Sequence, residues 1–271
     1  MNLTQKPNRP VRLAVRGLSK TYGSGAQTNR VLVDINLDVH EGEFVCLVGP
    51  SGAGKTTLLR CLTSLMPPTS GTVALDDKVL NGPSEHISIV FQEYTRSLLP
   101  WMTVEANIIL PLQARGVSKK EAISRVGPLL HSVGLPGTAR KYPWQLSGGM
   151  QQRVAIARAL ITEPEVLVMD EPFASIDAQT RLELEDLTRS LQQERNMTVV
   201  LVTHDIDEAV YLSDRIVVLS KNPATVQEIV EVGLGDTRDQ ITTREEHRFA
   251  ELRSHILGQI RAAQGRGPVP A

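Results

Sequence analysis

The segment Gly49–Thr56, which reads Gly-Pro-Ser-Gly-Ala-Gly-Lys-Thr, constrains the fold of this 271-residue chain more than any other feature. It fits the pattern G-x-x-x-x-G-K-[S/T] and directly follows the apolar run Phe44–Val48. Leucines with helical spacing come next, and they are Leu58, Leu59, Leu62 and Leu65. A loop between a strand and a helix presents backbone N–H groups and the positive helix N-terminus to phosphate oxygens. We therefore predict a phosphate-binding loop in which Lys55 reaches the β and γ phosphates and Thr56 ligates Mg²⁺.

Short β-branched runs alternate with helical patterns along the chain, which indicates an α/β fold with a mostly parallel sheet. The predicted strands are nearly continuous in apolar residues, as is typical of strands buried on both faces. They are Phe44–Val48, Ile87–Phe91, Val166–Met169, Val199–Val202 and Arg215–Leu219. Two earlier segments, Val11–Arg16 and Val31–Val39, alternate more and predict an antiparallel edge sheet. In the second of them the apolar set has period two, and it comprises Val31, Val33, Ile35, Leu37 and Val39.

The region from about residue 93 to 163 shows no strand pattern and is predicted to be a helical insertion. A capping box at Ser118–Glu121 opens a helix with apolar residues at Ala122, Ile123, Val126, Leu129, Leu130 and Val133. A second capping box, Thr243–Glu246, is predicted to open an amphipathic C-terminal helix that carries Phe249, Leu252, Ile256 and Ile260. Gly265–Ala271 is expected to be a frayed tail.

Composition and charge exclude several classes of protein. Lys and Arg total 29 against 30 Asp and Glu, so the net charge of −1 lacks the basic footprint of a nucleic-acid binder. The longest apolar run has five residues, Phe44–Val48, whereas a membrane span needs about 20. The first ten residues lack the apolar stretch of a secretory signal. Cys46 and Cys61 have no CxxC spacing, so a disulfide framework or a zinc site is not expected. A soluble, intracellular protein is the expectation.

Two carboxylates, Asp170 and Glu171, follow the predicted strand Val166–Met169. An aspartate at the carboxyl end of such a strand is placed to hold Mg²⁺. Glu171 comes next and points differently, so it can act as the general base for an attacking water. Acidic residues cap many strand ends, but beside a phosphate-binding loop this pair predicts hydrolysis rather than nucleotide binding alone.

The segment Leu146–Arg153 reads Leu-Ser-Gly-Gly-Met-Gln-Gln-Arg and precedes a helix rich in Ala and Arg. Backbone N–H groups at that helix N-terminus would form a second anion site. The alternative is that Ser147-Gly148-Gly149 is only an N-cap and a turn.

These motifs together resemble the ATP-binding subunits of ATP-binding-cassette (ABC) transporters, over residues 11–232. The Leu-Ser-Gly-Gly at 146–149 is similar to the signature motif of that family. Residues 49–56 are similar to its Walker A motif, and residues 166–171 to its Walker B motif. The resemblance implies a P-loop NTPase (RecA-like) core, an N-terminal antiparallel β subdomain and an inserted α-helical subdomain. It divides the chain into core segments 11–92 and 164–232, a helical subdomain at 93–163 and a C-terminal helix and tail at 233–271.

The resemblance also implies roles for individual residues. Tyr22 resembles the aromatic residue that stacks on adenine, and Gln92 the residue that touches both Mg²⁺ and the helical subdomain. His204 resembles the switch histidine at the γ-phosphate, and Asp177 the loop that crosses between subunits. The implied ATP-binding residues are Tyr22, Gly49, Pro50, Ser51, Gly52, Ala53, Gly54, Lys55, Thr56, Thr57 and Gln92. The implied Mg²⁺ ligands are Thr56, Gln92 and Asp170, and the implied catalytic residues are Glu171, His204 and Lys55.

The family works as a head-to-tail homodimer, so the resemblance implies that each ATP lies between one subunit's Lys55 loop and the other's Ser147, Gly148 and Gly149. Met150 stands where the family usually has Gln, and Ile176 where it usually has Leu. These departures bear on the rate of ATP hydrolysis and not on the class of protein. The segment Leu98–Val104 is the predicted contact surface for a membrane permease, with ordinary packing as the alternative.

The segments Leu98–Val104 and Thr203–Asp214, with the C-terminal helix, resemble importers of nitrate, sulfonate, taurine and related compounds. This implies a peripheral subunit at the cytoplasmic face of the membrane, with a permease and, indirectly, a solute-binding protein as partners. The alternative is a soluble ATP-gated scaffold without a membrane partner. A cassette ATPase acting on DNA would call for coiled-coil heptads or a basic surface, which this sequence lacks.

Overall fold

The computed structural model describes residues 9–24, 27–93, 97–221 and 223–264. The chain forms two compact units, one from residues up to Ser84 together with those from Asn196 onward, the other from Glu85–Arg195. The resemblance predicts a different division, by functional segment, into residues 11–92, 93–163, 164–232 and 233–271. That division stays a prediction. The predicted tail Gly265–Ala271 lies outside the described residues, as do eight of the first ten residues, for which no secretory signal was expected.

The first unit begins with a four-stranded antiparallel sheet in the order β2-β1-β4-β5. The strands are β1 (Val11–Tyr22), β2 (Asn29–His40), β4 (Ser70–Leu75) and β5 (Lys78–Val79). The predicted antiparallel pairing of the first two strands is confirmed, from Val11 opposite His40 to Tyr22 opposite Asn29. The predicted alternation in β2 holds only from Ile35 to Val39, because Asp34 adopts a positive φ of 48°. Before that irregularity Leu32 is buried, and Val31 and Val33 are only half-buried.

The first unit also contains four strands in the order β10-β9-β3-β8. They are β3 (Phe44–Val48), β8 (Thr198–Val202), β9 (Arg215–Leu219) and β10 (Val226–Glu231). Strand β3 is parallel to both β8 and β9, whereas β10 pairs antiparallel with β9. Every residue of β3 and β8 is buried, as the continuous apolar runs predict. The helices of this unit are α1 (Lys55–Leu62), α6 (Ile206–Leu212), α7 (Thr242–Glu245) and α8 (His247–Ala263).

The second unit pairs two parallel strands, β6 (Ile87–Val90) and β7 (Val166–Asp170), with four helices. The helices are α2 (Val104–Ala114), α3 (Lys119–Ser132), α4 (Gly148–Leu160) and α5 (Ala178–Glu194), with a short 3-10 helix at Pro143–Gln145. The described residues between 93 and 163 contain no strand, so the prediction of a helical insertion is confirmed for them. Helix α2 packs against α3 and α4 through buried apolar side chains.

Two predicted details of the helices α1 and α3 are corrected by the structure. Leu65 lies beyond the end of α1 and is exposed, whereas Leu58, Leu59 and Leu62 are buried. The Ser118 hydroxyl caps α3 as expected, but the Glu121 carboxylate binds Arg125 instead of returning to the cap.

The predicted capping box at Thr243–Glu246 is wrong. Thr243 lies inside the short helix α7, where its hydroxyl accepts a hydrogen bond from the Asp239 N–H group at 2.9 Å. Glu246 then adopts an extended conformation, which ends α7 and starts α8 as a separate helix. The predicted buried face of α8 is confirmed for Phe249, Leu252 and Ile256.

Across the described ranges, no helix combines the length and the apolar character that crossing a bilayer requires.

A nearly buried ion pair, Glu43 with Arg215, joins the start of β3 to β9. The guanidinium binds both oxygens of the carboxylate and also donates to the backbone carbonyl of Asp38 at 2.5 Å. The carboxylate in turn accepts the His40 N–H group at 2.8 Å. Removing one partner of such a pair leaves an uncompensated charge in a poorly solvated position.

Replacing Arg215 alone by Met should therefore lower the free energy of unfolding by about 3 kcal/mol, because Glu43 loses its counter-ion. The double variant Glu43→Gln with Arg215→Met should recover at least half of that loss, since glutamine is neutral and still accepts the His40 N–H group. Urea unfolding followed by circular dichroism measures both. Equal destabilisation in the single and double variants would show that the pair does not act through its charge.

Candidate functional site

The Gly49–Thr56 loop joins β3 to α1 and is shaped by close packing at Gly54. This residue caps α1 with a φ of +81°, and a Cβ atom there would lie 2.6 Å from Val31 Cγ1. Only glycine combines that conformation with that space. The Lys55 ammonium, nearly buried, donates hydrogen bonds to the carbonyl oxygens of Gly49 at 2.9 Å and Pro50 at 3.3 Å. The loop therefore holds a positive charge against its own backbone.

The remaining residues of the loop leave its outer side open. Ser51, Gly52 and Thr56 are exposed, whereas Ala53 is buried and Thr57 half-buried. The first-turn N–H groups of a helix have no acceptor within the helix. At α1 these groups follow Gly54, beside the Lys55 ammonium, so their dipoles and the charge attract the same anion.

Tyr22 ends β1 and lies beside α1. Its hydroxyl is 3.3 Å from Thr57 Oγ1 and 3.1 Å from Met66 Sδ, and the Lys20 ammonium lies 5.5 Å from its ring centroid. More than a third of the side chain is exposed. The structure thus brings the residue predicted to stack on adenine to the helix that begins at the phosphate-binding loop.

His204 is exposed and directly follows β8 in the same compact unit. The backbone on either side of it is fixed by a network that the sequence did not reveal. Buried Thr203 donates from its hydroxyl to the Glu208 carboxylate at 2.6 Å and accepts the Asp205 N–H group at 3.0 Å. Asp205 caps α6 by accepting the N–H groups of residues 207 and 208. This network holds the position of His204 at the end of the strand.

In the second unit, the carboxylates Asp170 and Glu171 lie at the carboxyl end of β7, as predicted. Asp170 is nearly buried, and Glu171 adopts a positive φ of 44°, which is uncommon for a residue other than glycine. The Glu171 carboxylate accepts a hydrogen bond from the Gln92 side-chain amide at 3.1 Å. Gln92 follows β6, the parallel neighbour of β7, so the pairing of these strands brings the two residues together.

Ser147 caps α4, and its hydroxyl accepts the Met150 N–H group at 3.3 Å. This contact is the N-cap that the sequence left open as an alternative, and it occupies one of the first-turn N–H groups of α4. Gly149 packs tightly against α5, since a Cβ atom there would lie 2.2 Å from Thr180 Cγ2. Ser147 and Gly148 are exposed, whereas Gly149 is buried.

Asp177 is the N-cap of α5, and its carboxylate accepts the Thr180 N–H group at 3.0 Å. Hydrogen bonds from Thr180 hold the pKa of this exposed carboxyl below its usual value. Because Thr180 also contacts Gly149, the N-termini of α4 and α5 lie side by side. Ile176, which departs from the family pattern, is buried.

The predicted contact segment Leu98–Val104 divides into buried and exposed parts. Leu98 and Val104 belong to the core, Leu99 and Met102 are half-buried, and Trp101 is 72% exposed. The residue that fixes this loop is the fully buried Asn107 of α2, which no sequence motif had indicated. Its side chain accepts the Leu99 N–H group at 2.8 Å and donates to the carbonyl oxygens of Leu99, Met102 and Thr103 at 3.0–3.1 Å.

Cys46 and Cys61 are buried free thiols. Burial raises the pKa of both, so neither is a thiolate nucleophile at neutral pH.

Comparison with known proteins agrees with this arrangement. The ABC transporter family profile matches residues 32–174, just over half of the chain. The aliphatic sulfonates import ATP-binding protein SsuB of Bacillus licheniformis is 41% identical, over 93% of this chain and 95% of its own length. The nitrate import ATP-binding protein NrtD of Synechococcus elongatus is 42% identical, over 89% of this chain and 88% of its own.

Solved structures show the same fold. A dimeric ATP-binding cassette in a post-hydrolysis state, bound to ADP and Pi, is 35% identical and superposes with a TM-score of 0.71, covering 81% of this chain and 98% of that one. The predicted α/β P-loop NTPase class is therefore confirmed. On the family match and these relatives, the chain belongs to the ABC transporter family, as an ATP-binding cassette protein with an ABC ATPase fold.

Proposed function

We propose that this chain is the ATP-hydrolysing subunit of an importer that moves a small anionic solute through a separate membrane permease. The observation that carries the proposal is the phosphate-binding loop. In this loop the nearly buried Lys55 ammonium lies at the N-terminus of α1, and both attract an anion. The named relatives import aliphatic sulfonates and nitrate, which supports a solute of that chemical class. The proposed place of work is the cytoplasmic face of the membrane, with the permease and, indirectly, a solute-binding protein as partners.

The proposed ATP-binding residues in the first unit hold the phosphates and the adenine base. The backbone N–H groups of Gly49–Thr57 and the Lys55 ammonium hold the phosphates, and Tyr22 supplies an aromatic face for adenine. His204, exposed at the end of β8, contacts the γ-phosphate. A side chain that donates a hydrogen bond to the transferred phosphoryl oxygens stabilises the charge that develops there.

Mg²⁺ fits the chemistry of the proposed ligands, which are the Thr56 hydroxyl, the Gln92 amide oxygen and the Asp170 carboxylate. All are hard oxygen donors, and Asp170 is nearly buried at a strand end, a position in which a carboxylate gains from a nearby cation. The ion, when bound, neutralises charge on the β and γ phosphates.

Glu171 is the proposed general base, which takes a proton from the attacking water. The Gln92 side-chain amide donates a hydrogen bond to the Glu171 carboxylate at 3.1 Å. The positive φ of Glu171 turns the backbone at the end of β7 and so sets the direction of this side chain. The proposed active form is a homodimer in which Ser147, Gly148 and Gly149 of one copy bind the γ-phosphate held by the other, while Asp177 lies on the crossing loop. The dimeric cassette with ADP and Pi supports this form.

Lys55→Ala should weaken ATP binding by at least about 30-fold, because the phosphates lose a poorly solvated counter-charge. Lys78→Ala, which removes an exposed lysine of the same unit, is the matched control and should bind as the wild type does. Isothermal titration calorimetry with ATP and Mg²⁺ measures both affinities. Unchanged affinity in the Lys55 variant would refute the assignment of the phosphate-binding loop.

Glu171→Gln should lower the rate of ATP hydrolysis by 10²–10⁴-fold while preserving ATP binding, since only the proton acceptor is lost. The variant should therefore accumulate as an ATP-bound dimer, visible by size exclusion with light scattering. Glu194→Gln, at the exposed end of α5, should hydrolyse ATP normally. A Glu171 variant that stays monomeric at saturating ATP, or one that keeps its turnover, would contradict the proposed mechanism.

A further inference from the structure

The chain continues past residue 232, where its resemblance to the ABC family ends. Residues 233–264, which we call the C-terminal segment, belong to the first unit and contain α7 and α8. Helix α8, which buries Phe249, Leu252 and Ile256, packs against α6, the helix that follows His204. Every residue proposed to bind ATP or Mg²⁺ lies outside the C-terminal segment, so its contacts with α6 are a possible further influence on His204.

Arg238 binds the last turn of α6 to the start of the C-terminal segment. Its Nη1 atom donates to the carbonyl oxygens of Tyr211 at 2.5 Å and Val210 at 3.2 Å. Its Nε atom donates to those of Leu234 and Gly235, each at 3.1 Å. The last four carbonyl groups of a helix have no partner within it, and the helix dipole makes that end negative. The half-buried guanidinium therefore caps α6 from outside the helix.

A second arginine of the C-terminal segment lies between two buried aromatic rings. The Arg244 guanidinium is 5.3 Å from the ring centroid of Tyr211 in α6 and 5.9 Å from that of Phe249 in α8. A cation over the face of an aromatic ring is attracted to it, so Arg244 joins the two helices. At the first turn of α6, Arg253 lies 3.9 Å from the Asp207 carboxylate. The C-terminal segment thus contacts both ends of α6.

Helix α6 is in turn joined to the backbone on both sides of His204. Glu208 of α6 is buried and accepts the Thr203 hydroxyl at 2.6 Å. Asp205 accepts N–H groups of α6, and its own N–H group donates to the Thr203 hydroxyl oxygen at 3.0 Å. Because both neighbours of His204 are tied to α6, a shift of this helix would move His204 as well.

The buried thiol of Cys46 in β3 relates Arg238 to Glu208. Burial is the main reason why the pKa of this thiol is raised, and the charge of Glu208 raises it further, whereas that of Arg238 lowers it. Both charged groups are therefore near enough to act on one buried atom. The cap at the end of α6 and the bond that holds Thr203 belong to the same region of the core.

We propose that the C-terminal segment positions His204 for the γ-phosphate by holding α6, and that Arg238 and Arg244 are the positioning residues through which it acts. The inference rests on the proposed function, because His204 is there assigned to the γ-phosphate. It extends that function by giving a role in ATP hydrolysis to residues outside the family motifs. Loss of either arginine should slow the chemical step more than it weakens ATP binding, because Lys55 and Tyr22 are left in place.

The test compares Arg238→Met with Arg248→Met in the full chain. Arg248 is a matched control, because it also belongs to the C-terminal segment and donates to backbone carbonyl oxygens, but to those of Glu231 and Val232 outside α6. We expect Arg238→Met to lower kcat for ATP hydrolysis at least about tenfold, while KM for ATP stays within about twofold. Arg248→Met should keep the wild-type kcat even if its melting temperature falls. Arg238→Lys, which keeps the positive charge and an N–H donor, should recover part of the lost kcat.

The NMR signal of the His204 imidazole gives a readout that a change in stability alone does not move. This signal, assigned with His204→Gln, should shift in Arg238→Met and stay in place in Arg248→Met. Arg244→Met keeps the contacts of Arg238 and decides the test if Arg238→Met fails to fold. It should shift the same signal and lower kcat at least about threefold.

Two results would overturn only this inference. One is a wild-type kcat with an unmoved His204 signal in the arginine variants at 238 and 244. The other is an equal loss of kcat in Arg248→Met, since the effect would then come from general loosening of the C-terminal segment. A wild-type chain that hydrolyses no ATP would instead overturn the proposed function, and wild-type turnover in His204→Gln would overturn the role proposed for His204.

Discussion

The Lys55 ammonium, nearly buried against the carbonyl oxygens of Gly49 and Pro50, is the interaction on which the rest of this structure depends. Carbonyl dipoles compensate only part of the cost of taking a charge out of water, so the site gains from an anion with several oxygens. To hold that ammonium, the chain must leave a buried strand, turn at a left-handed Gly54 against Val31 and begin a helix at once. The proposed role of the protein follows from this arrangement, since in the proposed homodimer the γ-phosphate that this loop attracts is also bound by Ser147 of the other copy.

The sequence predicted the parts of the fold that a single physical rule governs. Continuous apolar runs located β3, β7, β8 and β9 to within a residue, because strands buried on both faces consist mostly of apolar residues. The errors fall where two rules compete. Asp34 reverses the alternation of β2 through a backbone irregularity that no periodicity reveals, and an extended Glu246 splits a helix that spacing alone joined. At the site, motif spacing located Lys55, Asp170, Glu171 and Ser147, whereas contacts between distant segments, such as Gln92 with Glu171, required coordinates.

The polar residues that the sequence left unnoticed have a common function, which is to fix a loop next to a predicted site residue. Thr203 and Glu208 hold the backbone beside His204, and Asn107 holds the loop that exposes Trp101. All three are buried. Thr203 and Asn107 bind backbone groups, and Glu208 accepts the Thr203 hydroxyl, so each is costly to replace. Nothing in composition distinguishes such residues from ordinary core polar groups. Their importance comes from the segment that they hold and from what that segment presents to ATP or to a partner.

The central claim is that this chain hydrolyses ATP in order to drive a membrane partner, and the most direct measurement is the ATPase rate of the chain before and after it joins that partner. The chain is isolated from source membranes in mild detergent, its companions are identified, and hydrolysis is compared with and without them. We expect a multi-spanning subunit whose addition raises the rate of ATP hydrolysis several-fold and makes that rate depend on solute. Recovery of the chain only from the soluble fraction, with a rate of hydrolysis that no membrane protein changes, would contradict the transport role and leave an ATPase without a transporter.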